Sequence, residues 1–297
     1  MWKSQDSKSL MFQHDELEFS RRYIWDEYSK PLLMKFINAK PNQRILDVGT
    51  GTGYLIRELA KELNNIGEFY GLEIDNNLVN KAIQYTASEK LNINFVNGDI
   101  YNIPYGDNEF DIVTAEFVLC NIERPLNAIN EIRRVLKPGG TFVCIDPPSS
   151  KRLYYSELVP ESIQEIEHIV NSSVAEECLT RGVDKSIGIK LPTYLNQLGF
   201  KNIKAKGHLN VKIECQTNND ISMNEKIENR IRMLERQKRR LASTMEIGAI
   251  SQKQADDYME FWMDYLKRMH ENNNIALNDT STHCSTCLLV SGEKSSY

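Results

Sequence analysis

The sequence lacks the features that would place it in a membrane or on a nucleic acid. Its 297 residues contain no run of 18 apolar residues, so we expect no membrane-spanning helix. The first residues, 1–6, do not contain the apolar core of a secretory signal peptide. The formal net charge is −5, so the chain as a whole does not attract nucleic acid. The hydrophobic content of 41% is ordinary for a globular protein with a substantial core.

Clustered cysteines and metal-ligand motifs are scarce as well. The six cysteines are scattered along the chain, at positions 120, 144, 178, 215, 284 and 287. This pattern favours reduced thiols and a cytoplasmic location over a disulfide framework. Cys284 and Cys287 form a C-x-x-C pair, but structural zinc needs four ligands and the sequence has no second such pair. We therefore expect no metal site.

The most informative stretch runs from Arg44 to Leu55. A short apolar run over 45–48 predicts a buried parallel strand, and helical spacing begins at Tyr54. Between them stand three alternating glycines, Gly49, Gly51 and Gly53. A glycine turn between a strand and a helix is typical of a nucleotide-binding corner. The spacing differs from the G-x-G-x-x-G of dinucleotide-binding proteins. The carboxylate of Asp47, just before the loop, suits an ammonium or sulfonium ligand better than a pyrophosphate.

A second predicted strand, 67–75, ends in acidic residues about twenty positions after the glycine loop. Glu73 stands at its tip, where a carboxylate can accept both ribose hydroxyls of an adenosine. Ile74 would lie against the adenine. Asp75 begins the next helix, so we interpret it as the N-cap of that helix.

Together with later landmarks, these residues resemble the class I S-adenosylmethionine-dependent methyltransferases. The small-molecule type, similar to the ubiquinone and menaquinone biosynthesis methyltransferases, is the best match. The landmarks are Asp47 with its glycine loop, Glu73, Asp99 after the third strand, and the segment Leu136-Lys137-Pro138-Gly139-Gly140 before the fifth. The resemblance implies an α/β fold, a Rossmann-like doubly wound sheet of seven strands with helical insertions. Its seventh strand would insert antiparallel between the fifth and sixth. Later predicted strands cover 93–96, 110–115, 141–146, 203–215 and 286–294.

The resemblance also implies the cofactor, S-adenosylmethionine, and its site. Asp47 and the glycine loop would hold the methionine part and Glu73 the ribose. Asp99, with Ile74 and Ile100, would hold the adenine. Glu116, at the end of the fourth strand, would stand near the sulfonium. The full expected set is Asp47, Gly49, Thr50, Gly51, Gly53, Glu73, Ile74, Asp99, Ile100 and Glu116.

We expect the wall of the site that binds the substrate, the acceptor of the methyl group, to include Tyr23, Phe117 and Asn121. Many small-molecule members of the family carry a histidine where this sequence has Asn121. An asparagine amide can orient a substrate but cannot act as a general base at neutral pH. The sequence therefore identifies no catalytic base.

The domain prediction follows the same resemblance. Residues 1–40 would form an N-terminal helical lid and residues 41–297 the methyltransferase core. Helical insertions are expected at about 150–187 and 216–275, the second as a hairpin with Gly248 in its turn. Basic residues cluster within 230–240, but glutamates are interleaved with them at helical spacing, so a solvated helix face is favoured over an RNA surface.

The implied reaction is in-line transfer of a methyl group from S-adenosylmethionine to a small-molecule acceptor. One alternative is an RNA or protein methyltransferase that docks its substrate through the 216–275 hairpin. Another is a catalytically silent cofactor-binding protein, against which the three acids at the expected cofactor positions argue. The sequence alone leaves the acceptor atom and the oligomeric state open.

Overall fold

The structure, a computed structural model, describes residues 14–148, 153–213, 222–271 and 281–295. The strands are β1 (Arg44–Val48), β2 (Glu68–Glu73), β3 (Ile93–Asn97), β4 (Phe110–Glu116), β5 (Leu136–Asp146), β6 (Leu153–Tyr155), β7 (Phe200–Ile213) and β8 (Thr282–Lys294). The helices are α1 (His14–Ile24), α2 (Lys30–Ile37), α3 (Tyr54–Glu62), α4 (Asn76–Ser88), α5 (Pro125–Val135), α6 (Glu161–Thr180), α7 (Leu191–Gln197), α8 (Met223–Glu246) and α9 (Gln252–Glu271). Within these ranges, no helix is long and apolar enough to cross a membrane.

The strands form one mixed sheet in the order β3-β2-β1-β4-β5-β8, and β7 pairs with the other edge of β8. The first five are parallel to their neighbours, and β8 runs antiparallel to β5. This confirms the predicted Rossmann-like topology with an inserted antiparallel last strand. The sheet has eight strands instead of the expected seven, because the short β6 pairs with the first residues of β8.

The residue contacts divide the chain into two compact units. The helical unit comprises residues 1–26, 151–177 and 210–285, and the sheet unit comprises 27–150, 178–209 and 286–297. The segment expected to form the lid is divided between them, since α1 belongs to the helical unit and α2 to the sheet unit. Residues 1–13 of that segment lie outside the described residues, as do 216–221 and 272–275 of the expected hairpin.

The helical unit has its own apolar core, built from one face each of α6, α8 and α9. Its buried members include Ile163, Ile166, Val170, Ile227, Leu241, Tyr258, Trp262 and Met269. Helices α8 and α9 form the predicted hairpin. A capping box, which the sequence indicates by Ser251 and Gln254, precedes α9: Gln254 N–H donates to Ser251 Oγ at 3.3 Å, and Ser251 N–H donates to Gln254 Oε1 at 2.9 Å. The sequence places Ile231 on the same apolar face of α8 as the buried Ile227, but Ile231 is half exposed, so the buried stripe is narrower than the sequence pattern predicts.

The segment before the fifth strand corrects one prediction. The sequence of residues 137–140, Lys-Pro-Gly-Gly, predicts a helix stop and a turn, but β5 already begins at Leu136 and includes them. Gly139 adopts a left-handed φ of 77°, and the pairing register with β4 shifts between Phe110 and Ile112. A left-handed glycine is common in bulges, where one strand carries more residues than its partner. Leu136 pairs with Phe110 and Thr141 pairs with Ile112, so residues 137–140 bulge out of the ladder opposite the single residue Asp111.

Strand β7 corrects a second prediction. It begins at Phe200, earlier than expected, and the predicted residues 214–215 lie outside the described residues. The apolar residues Leu209 and Val211 alternate along the sequence of this strand, but in the structure they are half exposed, and Asn210 between them is buried. The Asn210 amide donates to the Ile24 carbonyl at 2.7 Å. A polar side chain with a partner can take the inner face, so alternation alone indicated the wrong side.

Candidate cofactor site

Asp47 is buried at the carboxyl end of β1, directly before the glycine loop. Two threonine hydroxyls hold its carboxylate. Thr50 Oγ1 donates to one oxygen at 2.7 Å and Thr114 Oγ1, from β4, donates to the other at 2.6 Å. The loop and the neighbouring strand thus fix the orientation of the acid. The sequence predicted a role for Thr50 but not for Thr114.

The glycine loop depends on its glycines for backbone conformation and for close packing. Gly49, Gly51 and Gly53 all adopt left-handed φ angles, of 63°, 58° and 77°. A methyl group on Gly49 would lie 2.6 Å from Val118 Cγ2, and one on Gly53 would lie 2.8 Å from Phe95 Cζ. Only glycine adopts these angles without strain. The loop therefore lies directly against the turn that follows β4.

Glu73 links the tip of β2 to the same loop. One carboxylate oxygen accepts from the Gly51 N–H at 2.9 Å, and the other accepts from the N–H groups of Ile74 and Asp75 at 2.9 and 3.1 Å. Burial raises the pKa of Glu73 above its ordinary value, and the three backbone donors act in the opposite direction. Asp75 is the N-cap of α4, as predicted, and accepts from Asn77 N–H at 2.7 Å.

Asn97, at the end of β3, is a site residue that the sequence reasoning missed. Its side-chain amide donates to the carbonyl oxygens of Glu73 and Ile74, at 3.0 and 2.9 Å. This contact joins the tips of β2 and β3 and fixes the backbone around Glu73. An amide side chain directly before Gly98-Asp99 was the signal in the sequence that could have indicated it.

The expected adenine residues lie at these two strand tips. Asp99 is exposed, and one of its carboxylate oxygens accepts from Tyr101 N–H at 2.9 Å. Ile74, the residue after the buried Glu73, is 53% exposed. Ile100 is partly buried against the sheet core. An exposed carboxylate with acceptor capacity beside an exposed apolar side chain fits the amino edge and the flat face of an adenine.

The segment after β4 holds the remaining expected residues of the sheet unit. Glu116 is buried as the last residue of β4. Phe117 has a left-handed φ of 54°, and its N–H donates to Ile145 O in β5 at 2.7 Å. Asn121 is exposed and donates through its amide nitrogen to Phe117 O at 2.7 Å. Tyr23, the third expected acceptor residue, belongs to the helical unit, where it stacks on Phe19 with 5.7 Å between ring centroids.

The sheet unit therefore gathers one set of groups at the carboxyl ends of β1, β2, β3 and β4. The set comprises three buried acids, Asp47, Glu73 and Glu116, together with an exposed acid, a left-handed glycine loop and an exposed isoleucine. Two acids that accept from hydroxyl and N–H groups, beside backbone with no side chain in the way, fit the ribose and the cationic methionine part of S-adenosylmethionine.

Comparison with known proteins agrees with this geometry. Residues 39–274 match the family described as "Methyltransferase domain". The chain is 32% identical over 205 residues to a demethylmenaquinone methyltransferase of Staphylococcus saprophyticus, a match that covers 64% of this chain and 82% of that protein. A demethylmenaquinone methyltransferase of Staphylococcus epidermidis is 34% identical over 143 residues, and the match spans 46% of this chain and 57% of that protein.

A solved structure shows the same fold at low sequence identity. It is phosphoethanolamine N-methyltransferase 2 of Haemonchus contortus, in complex with phosphomonomethylethanolamine and S-adenosylhomocysteine. The TM-score is 0.51 at 18% identity, with 98% of this chain and 59% of that one covered. The family match covers most of the chain, and the Rossmann-like sheet carries the acids and glycines at the strand ends. On both grounds, the chain belongs to the class I S-adenosylmethionine-dependent methyltransferases.

Proposed function

We propose that this methyltransferase acts on a small aromatic acceptor of the quinone type, in its reduced hydroquinone form. The observation that carries the proposal is the 32% identity, over 205 residues, to a protein named for its action on demethylmenaquinone. The reduced form follows from chemistry. A quinone ring is electron-poor and does not attack an electrophilic methyl group, whereas an ionised hydroquinone oxygen pushes electron density onto the ring carbons.

We also propose how the site residues divide the cofactor among them. Asp47 and the loop Gly49, Thr50, Gly51 and Gly53 hold the methionine part, Glu73 the ribose hydroxyls, and Asp99 with Ile74 and Ile100 the adenine. Glu116, buried at the end of β4, stands on the acceptor side. The side chains of Thr50 and Thr114 act through Asp47, whose carboxylate they orient.

S-adenosylmethionine supplies a methyl group on a positively charged sulfur, which a nucleophile displaces in line. The protein's task is to hold the acceptor atom roughly 3 Å from that methyl group, which can supply about 7–11 kcal/mol of the barrier. In the proposed reaction a bond forms between the ring carbon and the methyl group, the sulfur–methyl bond breaks, and the ring carbon then loses its proton. A strong base is not required, because the ionised hydroxyl already activates the ring.

The paired cations of α8 favour a small acceptor over RNA. In the described part of the helical unit, Arg236 pairs with Glu16 at 3.0 Å, and Lys238 pairs with Glu235 at 2.6 Å. Arg230 lies over the Trp262 ring, 5.4 Å from its centroid. Cations with partners inside the protein contribute little to binding a phosphate backbone. The proposed lid role of residues 1–40 and the cytoplasmic location rest on the sequence alone.

The test is a methylation assay with a short-chain demethylmenaquinone, offered in its reduced and oxidised forms together with S-adenosylmethionine. We expect the reduced acceptor alone to gain one methyl group on a ring carbon, as detected by mass spectrometry and NMR. Heat-denatured protein and the oxidised acceptor are the controls. If S-adenosylhomocysteine binds but neither form of the acceptor is methylated, the proposed acceptor class is wrong.

A further inference from the structure

The Asn121 side chain is engaged at both of its ends. Its amide nitrogen donates to Phe117 O at 2.7 Å, and its amide oxygen accepts from the Lys185 ammonium. The two contacts define the orientation of the amide, because a carbonyl can only accept and an ammonium can only donate. Asn121, which the sequence placed at the acceptor wall, is therefore built to hold a cation. Lys185 itself was not predicted.

The backbone that supports Asn121 is strained. Phe117 is a bulky residue with φ near 54°, a conformation that costs on the order of 1–3 kcal/mol and clusters at functional sites. The hydrogen bond from its N–H to Ile145 O holds this kink. The next residue, Val118, packs against the glycine loop, since a methyl group on Gly49 would lie 2.6 Å from Val118 Cγ2. The backbone that supports Asn121, and through it the Lys185 ammonium, therefore packs against the cofactor loop.

The segment that carries Lys185 is also fixed. Gly188 N–H donates to Pro147 O at 2.9 Å, and a methyl group on Gly188 would lie 2.5 Å from Asp146 O. The segment thus lies directly on the carboxyl end of β5. Asp184 accepts from Ser186 N–H at 2.9 Å and from the Lys190 ammonium at 2.6 Å. The carboxylate beside Lys185 in sequence is therefore paired with Lys190.

The charge of Lys185 is not balanced within the described part of the protein. An ammonium has three donors, and the structure shows one of them on the neutral amide of Asn121. In the described ranges no carboxylate lies within ion-pair distance of Lys185. Its side chain is partly buried, so its position is more defined than that of a lysine in open solvent. Such a cation can hold an anionic oxygen by a charge-assisted hydrogen bond.

We propose that Lys185, positioned by Asn121 and the kinked backbone of Phe117, binds an ionised oxygen on the ring of the acceptor. The inference rests on the proposed function, since it names the residue that holds the ionised oxygen of the hydroquinone. Lys185 contacts Asn121, which follows β4, and its segment lies on the end of β5, so Lys185 is at the carboxyl ends of the strands, as the cofactor loop is. There it stabilises the anion that makes the ring carbon nucleophilic.

The test measures binding to the full chain saturated with S-adenosylhomocysteine. The two probes are 2-hydroxy-1,4-naphthoquinone, which is an anion at neutral pH, and its neutral methyl ether. We expect the wild-type protein to prefer the anion by about tenfold, the size of one hydrogen bond to a charged group. Lys185→Gln should abolish this preference, and Lys185→Arg should retain most of it.

Lys190→Gln is the matched control. It removes a lysine from the same segment, but one whose ammonium is paired with Asp184, so the preference for the anion should stay at the wild-type level. An unchanged affinity for S-adenosylhomocysteine shows that each variant is folded. Equal binding of the two probes by the wild-type protein, or a preference that survives in Lys185→Gln, overturns the inference. A preference for the anion without methylation of the reduced acceptor overturns only the proposed function.

Discussion

Replacing Thr114 by valine tests whether Asp47 is held in the way that the structure shows. The hydroxyl is fully buried and donates to Asp47 Oδ1 at 2.6 Å, and Asp47 is 2% exposed. Valine has nearly the same shape, so the change removes a hydrogen bond without leaving a cavity. A lost hydrogen bond to a charged group costs about 1.5–3 kcal/mol. We expect Thr114→Val to lower the free energy of unfolding by about 2 kcal/mol and to weaken binding of S-adenosylhomocysteine.

Thr86→Val provides a matched control in the same unit. Thr86 is buried in α4, and its hydroxyl has no hydrogen-bond partner in the part of the chain that the structure describes. The same replacement there removes a buried polar group without breaking a bond, so stability should stay equal or rise. If the two variants lose the same stability, the proposed hydrogen bond to Asp47 is wrong.

The assay must report on the sheet unit. The tryptophans of the described residues, Trp25 and Trp262, both belong to the helical unit, so their fluorescence follows that unit. Urea unfolding followed by far-ultraviolet circular dichroism, together with hydrogen exchange of the amides in β1 and β4, observes the strands that carry Asp47 and Thr114. Exchange in β4 should become faster in Thr114→Val and stay unchanged in Thr86→Val.

Two further predictions concern the loop and Glu73. Gly49→Ala should lower the free energy of unfolding in urea more than Gly139→Ala does. Both variants replace a left-handed glycine, but only the methyl group at position 49 would lie within 3 Å of another side chain. Equal losses of stability would contradict the close packing around Gly49. Affinity for S-adenosylhomocysteine should fall as pH drops through the raised pKa of Glu73, since ribose hydroxyls favour the ionised carboxylate and binding then releases a proton. In titration calorimetry Glu73→Gln should lack this part of the pH dependence. The stability of the cofactor-free protein depends on pH in the opposite direction. The contribution of Glu73 to the free energy of unfolding is largest below the ordinary pKa of a glutamate, and it is lost as the pH rises through the raised pKa of Glu73.

The sheet and the acids at its strand ends could be predicted because each depends on local sequence. A buried run followed by glycines defines β1 and its loop, and acids at regular strand–helix spacing mark Glu73 and Asp99. The bulge at Gly139 could not be predicted, because a left-handed glycine serves a turn and a bulge equally well. The pairing partner decides between them, and that partner, β4, is distant in sequence.

The missed site residues have a common cause. Each of them acts through a contact that is distant in sequence: Thr114 contacts Asp47, Asn97 contacts the tip of β2, and Lys185 contacts Asn121. Each is an ordinary polar residue in a strand or loop, and only the fold shows which partner it meets. The burial of Asn210 could not be predicted for the same reason, because it depends on the carbonyl of Ile24 in another part of the chain.

Equilibrium titration of S-adenosylhomocysteine against the wild-type protein, Glu73→Ala and Glu68→Ala tests the central claim most directly. Both glutamates lie in β2, but Glu68 is at the amino end and exposed, whereas Glu73 is buried at the tip beside the glycine loop. We expect binding by the wild-type protein, a loss of at least about tenfold in Glu73→Ala, and unchanged binding in Glu68→Ala. Absence of binding by the wild-type protein, or equal affinities of the two variants, would contradict the assignment of the site.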